Sequence, residues 1–214
     1  MPLQNRVTPE GEIIATPARG RFMGNRGRLH GPDRNLGASR WTTRAWVTCR
    51  LSFNGRRRTL MAPGKYTELF FLDEAVALAA GHRPCGECRR EAYAAFRAAW
   101  ARARGEAGDT IRQLDRQMHE ARVDPRSRRQ IRHRRPIGDL PDGVFIAFPE
   151  RAELEGVWLV AGARLHLYAP EGYRVVVERP QGSVVDVLTP SVTVEVLVAG
   201  YRPEIHPSSA LAHA

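Results

Sequence analysis

Three cysteines constrain the fold of this chain more than any other feature of its sequence. The stretch GHRPCGEC ends in Cys85 and Cys88, with a proline before the first cysteine and a glycine between the two; Cys49 is the third. Such a knuckle (residues 84–88) can aim two thiolates at one tetrahedral ion, with zinc to sulfur distances of about 2.3 Å. An odd number of cysteines argues against a disulfide framework. The spacing therefore predicts half of a structural zinc site.

The other ligands must come from elsewhere in the chain. Cys49 lies on the apolar face of the alternating stretch RAWVTCRLSF, which predicts a strand over residues 44–53. His30, in the glycine-flanked loop RGRLHG, is the favoured fourth ligand. His82 is the alternative, but we expect its ring to pack beside the knuckle or near Tyr93. An arrangement in which the cysteines pack without metal stays open. The expected zinc ligands are Cys49, Cys85, Cys88 and His30.

Helices are predicted on both sides of the knuckle. Asp73 caps the short segment EAVALAA, and a glycine ends it. After the knuckle, Tyr93, Phe96 and Trp100 recur at helical spacing, so that one aromatic stripe faces inward. The segment DTIRQLDRQMHEAR predicts a further helix. The Asn-Gly pair at residues 54–55 predicts a hairpin turn, with RRRTLM as the returning strand.

The last third of the sequence differs in its residue pattern. Short β-branched runs such as GVWLVAG and YRVVVERP alternate with turn residues, which predicts a small antiparallel sheet or barrel. The stretch TPSVTVEVLVAGY is better explained as a helix, with Thr189 as its cap, Pro190 in its first position and Gly200 at its end. The pattern as a whole indicates an α+β protein.

The charge divides the chain in the same way. The net charge is +10, yet residues 1–140 hold 28 basic against 14 acidic side chains, while residues 141–214 hold 5 against 9. We expect a small zinc-stabilised N-terminal domain over residues 1–121, built from a β-hairpin and helices. This domain is followed by an arginine-rich linker or arm over residues 122–140 and by a β-rich C-terminal domain over 141–214.

The basic half points to nucleic acid as a partner. Lys65 is the only lysine, so the positive charge is carried by arginine, whose planar fork suits phosphates and guanine edges. A genomic preference for arginine would not explain the difference between the two halves. The candidate phosphate contacts are Arg56, Arg57, Arg58, Arg89, Arg90, Arg126, Arg128, Arg129, Arg132, Arg134 and Arg135.

A family resemblance supports DNA as that partner. The stretch FFLDEAVALAAGHRPCGECRR resembles the second half of the Ada-type zinc-binding domain, a methylphosphotriester-repair module. The family pattern Ala-Ala-Gly-aromatic-Arg-Pro-Cys-x-x-Cys is matched from Ala79 to Cys88, with His82 in the aromatic position, and the resemblance covers residues 70–90. A similar knuckle occurs in small zinc modules appended to nucleases. The resemblance implies a zinc-bound fold and DNA binding.

The chain departs from that family upstream of the knuckle. Ada-type members carry a second upstream cysteine, and one of the pair accepts a methyl group as a zinc-bound thiolate. Here Cys49 stands alone and Phe53 occupies the position four residues later. Methyl transfer is therefore the less favoured expectation.

An enzyme acting on nucleic acid or on a phosphorylated substrate is the alternative function. Asn25, His30 and Asp33 of the loop GNRGRLHGPDRN, or Asp115 and His119 on one helical face, would then supply the reacting groups. The sequence contains no G-x-x-x-x-G-K, H-E-x-x-H or G-x-S-x-G motif, which favours binding over catalysis. The N-terminus lacks the layout of a signal peptide and no long apolar run occurs, so we expect a cytoplasmic protein.

Overall fold

The protein has a mixed α+β fold. The computed structural model describes residues 1–56, 59–105 and 109–211. In these ranges the chain forms two six-stranded sheets and five α-helices. The candidate phosphate contacts Arg57 and Arg58 lie outside the described residues.

The first sheet is built from the N-terminal part of the chain. Its strand order is β2-β1-β5-β3-β4-β6. The pairs β1–β5 and β4–β6 are parallel, and the other neighbours are antiparallel. The strands are β1 (Gln4–Val7), β2 (Ile13–Ala15), β3 (Phe22–Asn25), β4 (Val47–Arg50), β5 (Leu69–Phe71) and β6 (Arg83–Pro84).

The second sheet is antiparallel throughout and follows the order β11-β10-β9-β8-β12-β7. Its β-branched strands alternate with turns, as the sequence texture predicts. The strands are β7 (His133–Pro136), β8 (Phe145–Ala147), β9 (Val157–Ala161), β10 (Arg164–Ala169), β11 (Gly172–Glu178) and β12 (Val184–Val187).

The five helices are α1 (Glu74–Ala79), α2 (Arg90–Arg104), α3 (Ile111–Arg122), α4 (Ser191–Val198) and α5 (Ser208–Leu211). Asp73 caps α1 as expected, because its Oδ1 accepts a hydrogen bond from the Val76 amide at 2.9 Å. The helical interpretation of TPSVTVEVLVAGY is confirmed, although Pro190 is the N-cap and the Thr189 hydroxyl accepts from the Phe145 amide instead.

The apolar core does not follow the expected division of the chain. Trp100 of α2 and Leu114 of α3 belong to one cluster with Val160 of the second sheet. Helices from residues 1–121 therefore pack directly against strands from residues 141–214. Both segments need this contact, because the apolar stripe of each helix must be covered by another layer.

The arginine-rich segment 122–140 is part of the folded body. Its residues 124–129 form a turn, and β7 pairs with β12 from Val184 to Val187. The high charge is compatible with a strand because the side chains of β7 alternate between exposed and half-buried positions. Residues 133–136 of the segment are thus held in the second sheet.

The Asn-Gly turn does not lead into a hairpin. Asn54 and Gly55 have φ angles of 51° and 64°, as a two-residue turn requires. However, β4 already pairs with β3 on one side and with β6 on the other. No edge is left for a returning strand, and the described residues after Gly55 form none before β5.

Buried charged groups connect α1, the knuckle and the C-terminal segment. The Arg89 guanidinium donates to Glu74 at 2.7 Å and to Glu204 at 3.1 Å. Glu74 also accepts from the Tyr201 hydroxyl at 2.6 Å, while Asp73 accepts from Tyr173 at 2.7 Å. These contacts tie residues far apart in sequence to the start of α1.

No described helix combines the length and the apolar composition that crossing a bilayer requires.

The Glu74 network generates a stability prediction. Glu74→Gln removes the charge that faces Arg89, whose side chain is 3% exposed, and should lower the free energy of unfolding by about 3 kcal/mol. Chemical denaturation measures this. The control Glu171→Gln breaks an exposed ion pair with Arg174 and should cost less than about 1 kcal/mol. Equal effects of the two changes would contradict a structural role for the network.

Candidate metal centre

The pairing of β4 with β6 brings the third cysteine to the knuckle. Thr48 lies opposite Pro84 in the parallel pair, and the Cys85 amide donates to the Thr48 carbonyl at 2.9 Å. Cys49 and Cys85, each one residue further along, therefore lie side by side. The sulfur atoms of Cys49, Cys85 and Cys88 all lie within 4.8 Å of one another. Three thiols at this separation can share one metal ion.

The knuckle is held in place by local contacts. The Glu87 amide donates to Cys85 Sγ at 3.4 Å, and the Arg89 amide donates to the Cys85 carbonyl at 3.1 Å. A Cβ at Gly86 would lie 3.4 Å from the Tyr93 ring, which is an ordinary van der Waals distance, so the turn packs against α2. The thiols are thus positioned by backbone that the helix supports.

The three thiols differ in their acidity. The hydrogen bond from the Cys49 thiol lowers the pKa of Cys85 to about 5, and the knuckle amides of Cys88 and Glu87 contribute. The same hydrogen bond, together with burial, raises the pKa of Cys49, while burial raises that of Cys88. One thiolate therefore forms readily, and a bound cation would favour ionisation of the other two.

His30 lies outside this group of thiols. Its Nδ1 is 2.6 Å from the Thr67 hydroxyl and its Nε2 is 3.2 Å from the Ala62 carbonyl oxygen, so both ring nitrogens are engaged. No fourth histidine, cysteine or carboxylate joins the three sulfurs in the described part of the chain. A metal held by these three thiols would thus take no fourth ligand from the histidines, cysteines and carboxylates of the described residues.

His82 also stays away from the thiols. Its ring is fully buried between Trp46, at 5.2 Å between centroids, and Phe71, at 4.6 Å. Sequence reasoning anticipated a packed ring but placed it beside the knuckle or near Tyr93. The difference arises because the β4–β6 pairing carries His82 to the end of the strands opposite the cysteines.

The expected phosphate contacts occupy very different surroundings. Arg89 is buried and pairs with the buried Glu74 and the exposed Glu204, so it supports the fold and does not face solvent. Three more arginines form exposed ion pairs: Arg56 with Glu87, Arg132 with Glu10, and Arg134 with Glu150. Arg90, Arg126, Arg128 and Arg129 are exposed, and Arg135 is half-buried.

The groups proposed for an enzyme do not converge. Asp115 forms a bidentate, buried ion pair with Arg83 at 2.7 and 2.9 Å. His119 accepts a hydrogen bond from Arg122 at 2.8 Å. Asp33 holds its own turn through Asn35. Each of these side chains thus already has a structural partner within the fold.

Sequence reasoning missed a second polar centre at the other end of β4. The guanidinium groups of Arg26 and Arg122 lie over the Trp46 ring, at 4.1 and 3.7 Å from its centroid. The only sequence signal was the closely spaced Trp41 and Trp46 in a basic segment, and it does not reveal which arginines approach them.

Comparison with protein families, with curated proteins and with solved structures finds no match for this chain.

Metal content tests the three-thiol centre. Purified protein should carry about one metal ion per chain, and Cys85→Ser should lose most of it, because two thiols and an open position hold an ion weakly. His30→Gln is the matched control and should keep the metal. Elemental analysis of both proteins decides the point. A folded His30→Gln protein without metal would show that the histidine is a ligand after all.

Proposed function

We propose that the protein holds one zinc ion through Cys49, Cys85 and Cys88 and binds nucleic acid, with DNA as the favoured partner. The observation that carries the first half is the convergence of three sulfur atoms from two separate segments of the chain. Thiolate ligands suit zinc better than magnesium or calcium, which prefer oxygen. A reducing cytoplasm would keep these thiols available.

The role proposed for zinc is structural. The ion would link β4 to the knuckle, from which α2 begins, and so fix one end of the first sheet against the helical layer. Strand β6 has only two residues, and backbone pairing alone gives such a short strand little support. A metal that binds only the folded arrangement adds its binding free energy to folding.

The surface proposed for nucleic acid lies around α3 and the turn that follows it. Arg44, Arg112 and Arg126 are exposed, and none of them forms an ion pair with a carboxylate in the described part of the chain. Arg44, Arg112 and Arg116 line one shallow depression. Unpaired exposed guanidinium groups are the ones available to neutralise phosphates.

The surroundings of the thiols are less basic than the α3 surface. Metal binding and nucleic-acid binding are therefore proposed for different places. The cavity beside Cys88 is lined by three arginines and also by Glu87, Glu91 and Glu204. Phosphates are therefore better accommodated at the α3 surface than at the metal. The Ada-type resemblance of residues 70–90 supports DNA as the partner.

Because no fourth ligand joins the three thiols among the described residues, one second candidate is a zinc-dependent enzyme acting on nucleic acid. Catalytic zinc sites typically have three protein ligands and one exchangeable position. Cleavage of end-labelled DNA by zinc-loaded protein, abolished in Cys85→Ser, would favour this candidate over a purely structural ion.

Binding to a fluorescent duplex tests the nucleic-acid proposal. Affinity should fall steeply with salt, and each phosphate contact should contribute about 0.9 to the slope of log affinity against log salt. The combined change Arg44→Gln, Arg112→Gln and Arg126→Gln should reduce that slope by about 2 to 3. We use substitutions and do not delete the arginine-rich residues 126–135, because residues 133–136 form β7.

A charge-matched control separates this surface from net charge. Arg134→Gln, Arg151→Gln and Arg174→Gln remove three arginines that are already ion-paired, and the slope should change little. Equal losses in both triple variants would exclude the α3 surface. Failure of duplex and single strand to bind at about 50 mM salt and micromolar protein would contradict nucleic-acid binding altogether.

A further inference from the structure

A cleft with an aromatic wall opens beside Trp41. Its volume is about 570 Å³, and Trp41, His119 and four arginines are among its lining residues. A smaller inner cavity of about 40 Å³ adjoins it and reaches Trp46. Arg40, Trp41 and Arg128 line both spaces. The outer volume falls in the range of about 300 to 1,000 Å³ that is typical of small-molecule sites.

The lining of this Trp41 cleft carries a large excess of positive charge. The outer and inner cavities together are lined by seven arginines and three glutamates. Glu10 faces Arg132, which lies outside the lining, and Glu120 faces Arg116, which is one of the seven. Such an arrangement attracts an anion into a partly enclosed space.

Two of the arginines are buried with unused hydrogen-bond donors. Arg26 and Arg122 are each 2% exposed. Arg26 Nε and Nη2 and Arg122 Nε have no hydrogen-bond partner, and neither side chain pairs with a carboxylate in the described ranges. Burial lowers the pKa of Arg26 to about 9 and also lowers that of Arg122, which the charge of Arg26 lowers further. A bound anion would compensate both charges.

Backbone carbonyls hold the two guanidinium groups before any ligand arrives, and Arg26 donates to the Gly11 carbonyl at 2.9 Å. Arg122 donates to the carbonyls of Gly81 and Arg44, both at 2.8 Å. A side chain at position 81 would come within 2.4 Å of Arg122 Cδ, so only glycine leaves room for this arginine. The pKa of His119 is lowered to about 4 by burial and by Arg122 and Arg44, so its neutral ring can accept the Arg122 hydrogen bond. Preorganised donors bind an anion at a small entropic cost.

Trp41 provides a surface for an aromatic group next to these charges. It is partly exposed and contacts His119 edge-on, with ring centroids 5.5 Å apart. The adjoining loop is held by the amides of Thr42 and Thr43, which donate to the Arg26 carbonyl at 2.8 and 3.2 Å. An indole in this position can stack on a nucleobase, since every base has an apolar face.

We propose that the Trp41 cleft binds a nucleotide unit with a terminal phosphate. The phosphate is bound by Arg40 and Arg128 in front of the buried Arg26 and Arg122, and the base packs against Trp41. A free nucleoside monophosphate and the 5′-phosphorylated end of a nucleic-acid strand share this chemistry. The cleft lies at the end of β4 opposite the thiols, so the assignment does not depend on the metal.

Calorimetric titration of the full-length protein tests the site with adenosine 5′-monophosphate, adenosine and inorganic phosphate. The monophosphate should bind at least about tenfold more tightly than either fragment, because it contacts both parts of the cleft. Equal affinities for the monophosphate and for one of its fragments, or no binding of any of them, would overturn the proposal.

Variants at the rim of the cleft separate its two parts. Trp41→Ala should weaken the monophosphate about tenfold and leave inorganic phosphate unchanged. The double change Arg40→Gln and Arg128→Gln should weaken both ligands by about tenfold or more. Arg50→Gln, at the thiol end of β4, is the control and should change neither. Loss of binding in Arg50→Gln to the same extent would show a general charge effect and reject the site.

A pair of short single strands identifies the source of the nucleotide. One strand carries a 5′-phosphate and the other a 5′-hydroxyl group. If the phosphorylated strand binds about tenfold better and displaces the monophosphate, the cleft is assigned to strand ends. Equal binding of the two strands, without displacement, assigns it to free nucleotides. Monophosphate binding without any duplex binding would support the cleft and contradict the nucleic-acid function. If the protein binds duplex but not the monophosphate, and Trp41→Ala leaves duplex binding intact, the nucleic-acid function is supported and the cleft is contradicted.

Discussion

The parallel pairing of β4 with β6 is the contact on which both candidate sites depend. Two residues of each strand pair in register, Val47 with Arg83 and Thr48 with Pro84. Beyond one end of this short ladder Cys49 meets the knuckle, and beyond the other end Trp46 meets His82. Loss of this register would separate the thiols and open the stack around Trp46 together. A metal bound by the thiols would therefore also help to hold the stack around Trp46.

The side chains at the two ends of β4 carry charges of opposite sign. At the thiol end, ionisation of the cysteines creates negative charge that a cation can neutralise. At the tryptophan end, Arg26 and Arg122 concentrate positive charge over one indole without a carboxylate partner among the described residues. Cation–π contacts offset only part of the cost of burying two guanidinium groups. Each end thus has a charge that a ligand of opposite sign would balance.

The C-terminal half has a structural part in both sites. The carboxylate of Glu74 in α1 faces Arg89, directly after the knuckle, and accepts hydrogen bonds from the Tyr201 hydroxyl and the Glu204 amide. The second sheet and α4 cover the apolar faces of α2 and α3, which carry the knuckle and the basic surface. The sequence assigned residues 141–214 to a separate domain because it cannot reveal which layer covers which helix.

Local chemistry in the sequence determined the α+β class, the caps and aromatic stripe of the helices, the β-branched strands and the two-cysteine knuckle. These features depend on side-chain spacing, which the sequence contains. Only the tertiary structure decided that β4 pairs with β6 and leaves no edge for a hairpin, that His30 is engaged by Thr67 and Ala62, and that Arg26 meets Arg122. Those outcomes depend on strand pairing and burial between distant segments, where small differences in free energy select one arrangement.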